Sequence, residues 1–585
     1  MKFLFTFLLL TPVFLFAQKK PLDHSVYDSW QSIGERMISN DGKWVVYTVT
    51  PQEGDANLYI QSTENIQSKK QVPRGYNAVI TEDSRYVVFR IRPFYKDTRD
   101  ARIKKKRPED MPRDSVGILE LGKETIVKVA KVKGYKVPEK AAGWVAYHKE
   151  RDPSTVRPAA QPTQRTVDSL KLKIDSLTQL VVQLKNIKGG SADGEDADEE
   201  PGSAAPADLG SDLILRNLLS GKERTFKNVA DYTFNKYGQK LVLKLTKAPR
   251  DSNSKASVAV FDLKTERLDT ILKGGNDFRG FAFNDDGSKL AFVAERDTAT
   301  KALQKFYGLY LYRDGNESAD LLIDKKSVGM EMGMTVSENS NLTFSKSGNR
   351  LLFGVAPILP AKDTSLIDID LVKLDIWNYK DDYLQTQQLF NLQNELRRNY
   401  LTAYDFNQNR IIPMGSTAFP TVLPMAESDA NIFVAVTDTG RRVESQWTGE
   451  TMKDIYAIDM KTGAKKLVKK NHVGNIYPSS TGKYILLYDN KTRHYHAWDG
   501  TGLKNITAKI SVPLYDEEHD TPSDPNPYGI MGWHEGDSAV YIYDRYDVWK
   551  VDPTASVSPL MITQIAKTTG RAKRNAYRYI RLDND

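Results

Sequence analysis

The stretch FAFNDDGSKLAFVAE, residues 281–295, sets a polar turn, Asn284-Asp285-Asp286-Gly287, between two apolar runs. Alone it reads as one β-hairpin, with glycine supplying the positive φ that a tight turn needs. The pattern recurs as ISNDGKWVVYTV (38–49), ITEDSRYVVFRI (80–91), FNKYGQKLVLKL (234–245), FSKSGNRLLFGV (344–355), SSTGKYILLYD (479–489) and HEGDSAVYIYD (534–544). Weaker copies are AAGWVAYHK (141–149) and AESDANIFVAV (426–436).

A second strand ending in a charged turn follows most copies. Examples are ANLYIQST (56–63), SVAVFDLKTER (257–267), KLDIWNYKDD (373–382) and DIYAIDMKTG (454–463). Nine such units recur about every 62 residues between Ser39 and His534, longer than the ~40–50 residues of a compact four-stranded blade. A four-stranded sheet cannot bury both faces by itself, but stacked on copies of itself it can. The fold expected is therefore all-β, a β-propeller of repeated four-stranded blades. Nine units exceed one ordinary propeller of ~4–8 blades. Either some units are not blades, or there are two propellers, the second incomplete.

Residues 150–210 interrupt the pattern. VDSLKLKIDSLTQLVVQLK, residues 167–185, places Leu170, Ile174, Leu177, Val181 and Leu184 at spacings of three and four. That is a short heptad seam, read as a helix on the propeller's flank or as a coiled-coil contact with a partner. GGSADGEDADEEPGSAAPADLG, residues 189–210, has the composition of a disordered segment. The expected organisation is a signal over 1–17, propeller over 18–149, the insertion over 150–210 and propeller again over 211–585.

The signal is Lys2, then the apolar run FLFTFLLLTPVFLFA (3–17), then Gln18-Lys19-Lys20. Cleavage is expected after Ala17, with export to the periplasm or the exterior. Fifteen residues containing Pro12 make a poor membrane span. Cysteine is absent, which excludes disulfides, zinc–thiolate sites, a lipid-anchored cysteine and a cysteine nucleophile. The formal net charge of +8 is mild for 585 residues. The basic cluster RIKKKRPEDMPR (102–113) reads as a solvated loop rather than a nucleic-acid patch.

The search for chemistry returns little. There is no Gly-x-Ser-x-Gly elbow, phosphate loop or dinucleotide fingerprint. His494 and His496 in RHYHAW share a strand face and could in principle hold a metal, but no carboxylate stands at a telling spacing. YDEEHD (515–520) bunches four carboxylates around His519 beside a proline-rich stretch, which reads as an exposed loop. Asp368 and Asp370 in LIDIDLVKLDIW (366–377) read as the polar face of a half-exposed strand. No catalytic residue, cofactor or metal ligand is assigned.

KKPLDHSVYDSWQSIGERMISNDGKWVVYTV (19–49) and KLDIWNYKDDYLQTQQ (373–388) resemble stretches of large exported members of the prolyl oligopeptidase family of serine peptidases, of the kind common in Bacteroidetes. The repeats fit as well, and the resemblance spans most of residues 19–585. It implies an N-terminal propeller that gates and binds peptides, followed by an α/β-hydrolase domain with a Ser/Asp/His triad. No position here matches that triad, so the expectation is the propeller portion alone, inactive by itself. Family members that grip a peptide N-terminus with paired glutamates give no clear alignment to Glu517-Glu518. The alternatives are a free-standing extracytoplasmic propeller that binds peptide, protein or glycan in the manner of TolB, and a propeller-borne lyase or glycosidase.

Overall fold

The computed structural model describes residues 24–151 and 210–580, apart from residue 66 and the stretches 249–250, 252, 298–302, 362–373, 375 and 565–568. The signal, the heptad residues Leu170, Ile174, Leu177, Val181 and Leu184, the acidic tract, and Asp368 and Asp370 lie outside the described residues. The chain folds as two compact units, divided between Asn228 and Val229.

In the first unit, blade 1 is a four-stranded meander of Gln31–Ile38, Trp44–Pro51, Asn57–Ser62 and Lys69–Pro73. Blade 2 repeats it with Gly75–Ile80, Tyr86–Ile91, Ser115–Glu120 and Ile126–Ala130. Blade 3 follows from 132 into the strand Glu223–Phe234, within which the division falls. The second unit holds six more: blades 4 (229–273), 5 (277–323), 6 (334–413), 7 (421–472), 8 (476–505) and 9 (530–561). The described residues thus form a β-propeller fold of nine antiparallel blades, as many as the sequence repeats; blades 3 and 4 share Glu223–Phe234 in one seven-stranded sheet, and blades 5 and 6 join in one nine-stranded sheet.

The reason is visible in the second strand of each blade. Successive side chains of a strand point to opposite faces, so a continuous apolar run must bury two faces. In Tyr86–Ile91, Val87 and Phe89 pack with Val46, Leu58 and Ile60 of blade 1. Tyr86 and Val88 pack with Val145 and Tyr147 of blade 3. In Lys289–Glu295, Leu290 and Phe292 face Val258 and Val260 of blade 4, while Ala291 and Val293 face Leu351 and Phe353 of blade 6. Each such side chain contributes ~1.5–3 kcal/mol by leaving water. The outer strands carry lysines instead, among them Lys465, Lys466, Lys469 and Lys470 of blade 7, which discourage pairing with a foreign strand.

The turns are built alike. Ser39, Thr81, Asn235, Asn284, Ser345 and Ser479 each accept, through a side-chain oxygen, the backbone N–H five residues on, at 2.8–3.1 Å. The residue three places on has φ between 56° and 78°: Gly42, Ser84, Gly238, Gly287, Gly348 and Gly482. Neighbouring turns are also tied together. Asp41 N–H donates to Ser84 Oγ at 3.1 Å. Lys240 Nζ donates to the Gly287 carbonyl, and Lys289 Nζ to the Gly348 carbonyl, each at 2.9 Å. Ser347 donates through its backbone and its hydroxyl to Asp429. The two aspartates of the 284–287 turn differ in duty. Asp286 accepts the Ser288 N–H, whereas Asp285 takes both Lys236 and Lys346, at 3.2 Å each, and so links three consecutive turns.

One expected strand is not formed. The described part of KLDIWNYKDD is irregular, with Leu374, Ile376 and Trp377 exposed. The third strand of blade 6 is Tyr400–Asp405, paired with Arg350–Pro357. Buried Tyr400, Ala403 and Tyr404 meet the core, and the residues between form an insertion ending in the helix Gln385–Leu396.

Three substitutions separate turn chemistry from surface charge. Asn284→Ala leaves the Lys289 N–H without its acceptor in a buried turn and should cost about 1–3 kcal/mol. Gly287→Ala forces an L side chain to φ +73°, 2.4 Å from Asn235 Nδ2, and should cost about 1–2 kcal/mol or more. Asp285→Asn removes two exposed ion pairs and should cost under ~1 kcal/mol. Denaturant unfolding of the three variants checks that order.

Candidate ligand-binding site

Blade 8 contains a cluster of buried tyrosines, one of whose hydroxyls lacks a protein partner. Its strands Ile485–Asp489 and His494–Trp498 pair in a register that sets Tyr488 opposite Tyr495. The connecting turn fixes that register. Asp489 Oδ1 accepts the Lys491 and Thr492 N–H groups at 3.0 and 3.1 Å, and Arg493 closes the turn at φ 57°. Burial opposes the charge of Asp489, but these backbone donors and Lys469 hold its carboxyl below the usual carboxylate range.

The rings of Tyr488 and Tyr495 lie 4.9 Å apart, and Tyr477 stands 6.1 Å from Tyr495. Tyr515, from the long loop before blade 9, packs against the same cluster. Arg493 sits over the Tyr515 ring at 4.5 Å. Tyr488 and Tyr495 are fully buried; the Tyr488 hydroxyl has no hydrogen-bond partner in the protein, whereas the Tyr495 phenol meets the Tyr477 phenol and the Gly529 backbone. Burial pushes the Tyr488 phenol up to about 12, and it pushes Tyr495 up further. Both therefore stay protonated and act as donors. Asp524 bears on the Tyr488 phenol. Glu450, from the loop before the third strand of blade 7, is raised by burial and by the Asp524 carboxyl beside it. The arrangement offers phenolic donors and carboxyl acceptors within an aromatic setting. It suits binding a group that both donates and accepts, as an amide does.

On the blade 7 side, His472 is buried beside the Asn475 backbone, and Asn490 Oδ1 is unpaired. Burial depresses the His472 pKa, and Lys469 and Lys453 add to that, while Asp489 opposes it.

The residues singled out from sequence are placed as follows. His494 and His496 share a strand, but His494 Nδ1 is engaged with Thr507 Oγ1 at 3.1 Å, and burial depresses His496. No group of three or more potential metal ligands forms among the described residues. Glu517 and Glu518 do not form a free pair. Arg571 grips Glu517 with two nitrogens at 2.9 and 3.0 Å, and Arg545 pairs with Glu518. His519 turns onto Thr521 and Ser523 within its own loop. A serine–histidine contact does occur: Ser211 Oγ lies 2.9 Å from His148 Nε2. The serine gives its one proton to the Lys149 carbonyl at 2.7 Å, so the histidine must donate to it, the reverse of a general base. Both are buried. The tyrosine cluster escaped sequence reasoning, although YILLYDNKTRHYHAW (484–498) is dense in aromatic residues.

The described residues define a β-propeller protein. No protein-family model and no curated protein matches the chain. Solved structures do. The β-propeller domain of the trilobed protease from Pyrococcus furiosus is 9% identical over 76% of this chain and 97% of that one, with a TM-score of 0.28. A eukaryotic initiation factor is 10% identical over 81% of this chain and 88% of its own, with a TM-score of 0.37. The Pyrococcus horikoshii acylaminoacyl peptidase is 8% identical over 81% of this chain and 59% of its own, with a TM-score of 0.28. At such identities and TM-scores none of these proteins speaks to what this chain does.

Two outcomes follow from the site. Tyr488→Phe removes a hydroxyl that no protein group uses, so it should leave the thermal midpoint of the ligand-free protein unchanged or raised. A loss of several degrees would show that the hydroxyl is structurally engaged. For His472, the folded pKa lies below the ordinary value of ~6.5. The unfolded chain therefore binds the extra proton first, and the stability held above that pH is lost as pH falls through it. The midpoint should drop between pH 7.5 and pH 5, and His472→Phe should drop less over the same interval.

Proposed function

We propose that this chain is the substrate-binding propeller of an exported serine peptidase of the prolyl oligopeptidase family, with peptide bound at the Tyr488–Tyr495 cluster and no hydrolysis by the chain itself. The observation that carries the reading is the buried Tyr488 phenol without a partner, 4.9 Å from the Tyr495 ring and with the Asp524 carboxyl bearing on it. An unpaired buried hydroxyl costs about 1–3 kcal/mol, which a ligand with amide groups would offset. The strand pairing among the described residues is antiparallel, whereas a hydrolase sheet needs parallel strands alternating with helices. The resemblance of residues 19–49 and 373–388 supplies the family, and the apolar run at 3–17 supplies the export. The family's catalytic serine belongs to a separate α/β-hydrolase domain, as the resemblance implies.

The test is titration of the purified chain with short peptides, followed by calorimetry or tyrosine fluorescence. Binding should weaken at least tenfold in Tyr488→Phe and Tyr495→Phe, peptides should remain uncleaved, and a fluorophosphonate should label nothing. Serine labelling, or peptide affinity indifferent to both substitutions, overturns the proposal.

A further inference from the structure

The helix Gln385–Leu396 is turned inside out. None of its residues is buried. Its partly buried positions are polar: Gln385, Gln387, Gln388 and Asn391. Gln388 Nε2 donates to the Tyr383 carbonyl at 3.1 Å. Its apolar residues face water, with Phe390 88% exposed, Leu389 57%, Leu396 56% and Leu392 47%. The lead-in adds Trp377 at 75% and Tyr379 at 92%. The segment is nevertheless anchored. Asp382 accepts the Gly440 N–H at 2.8 Å and pairs with Arg442 at 3.1 Å, and Arg442 lies over the Tyr383 ring at 4.6 Å. A helix held in place with its apolar side outward needs a cover.

We propose that the cover is the same helix of a second copy of this chain, in a two-fold symmetric dimer. Leu389, Leu392 and Leu396 are spaced three and four apart, the spacing of a helix–helix seam. Two antiparallel copies related by an axis near Leu392 set Leu392 against its own equivalent and Leu389 against Leu396, as an isologous contact requires. Charge favours a self-contact. Glu395 is the helix's one charged residue, and Arg398 pairs with it, so like charges do not oppose the approach. A helix that lies on a membrane would carry lysines and arginines along its polar face, and this one carries glutamines and asparagines. The aromatic and leucine side chains of the helix and lead-in together expose roughly 800 Å², near what one partner contributes to a standard interface.

The chain has no cysteine, which makes the test direct. Sedimentation and light scattering of the purified chain should give twice the mass of one chain at micromolar concentration. Leu389→Glu with Phe390→Glu should weaken the dimer about a hundredfold or more while the thermal midpoint stays put, because both side chains are exposed in the single chain. Leu392→Cys should form a disulfide-linked dimer under mild oxidation, and Ser318→Cys, on an exposed loop, should not. A wild-type chain that stays monomeric at ~100 µM overturns the proposal, including one that binds lipid vesicles or another protein instead. So does a dimer that survives the glutamate pair, or a Leu392→Cys chain that cross-links no better than Ser318→Cys.

Discussion

Everything in this structure depends on the two-residue period of a strand whose both faces are apolar. A run such as Lys289–Glu295, buried along most of its length, cannot sit at the surface of a sandwich. It needs a sheet on each side. Blade 5 obtains that from blades 4 and 6, and blade 2 from blades 1 and 3. Blades 2 and 5 are thus stabilised by neighbours built like themselves. That is why the second and third strands of the repeats are apolar throughout while the outer ones alternate or carry lysine.

The repeat count was legible because the turn residue at φ > 0 and the apolar run after it are both constrained. The residue that opens each turn was harder to see. Serine, threonine and asparagine all place an oxygen where it meets the N–H five residues on, so the position looks variable in letters while its chemistry is constant. The aspartates were legible as turn residues, but the link from Asp285 to two other turns was not, since it needs the blades assembled. Blade 6 misled for a physical reason. Leu374, Ile376 and Trp377 have the composition of a strand, but they lie in an insertion, and the true third strand begins at Tyr400.

The candidate site was less legible than the fold. Tyr477, Tyr488, Tyr495 and Tyr515 are spread over 39 positions of sequence, and only the cross-strand register and the returning loop bring them together. A tyrosine in a strand is ordinarily a packing residue with its hydroxyl in water or on a neighbour. What marks this group is the Tyr488 hydroxyl, buried without such a partner, which no sequence pattern encodes. The acidic stretch 515–520 drew attention by composition, yet its glutamates are spent on Arg545 and Arg571.

Most of the molecule agrees with itself at every level. Apolar faces are buried, turn donors are capped, and carboxylates such as Asp544 and Asp547 are fully buried but well supplied with donors. Two places break that agreement in opposite senses. At the tyrosine cluster the Tyr488 hydroxyl is buried without a partner, and on the helix Gln385–Leu396 apolar groups are exposed without cover. Stability of the blades needs neither defect, and each carries a cost that packing elsewhere must offset. Local violations of an otherwise consistent fold tend to fall where a protein meets something else. The two sites ask for different things, one a small polar guest and the other an apolar surface, so they are independent in chemistry as well as in place along the chain.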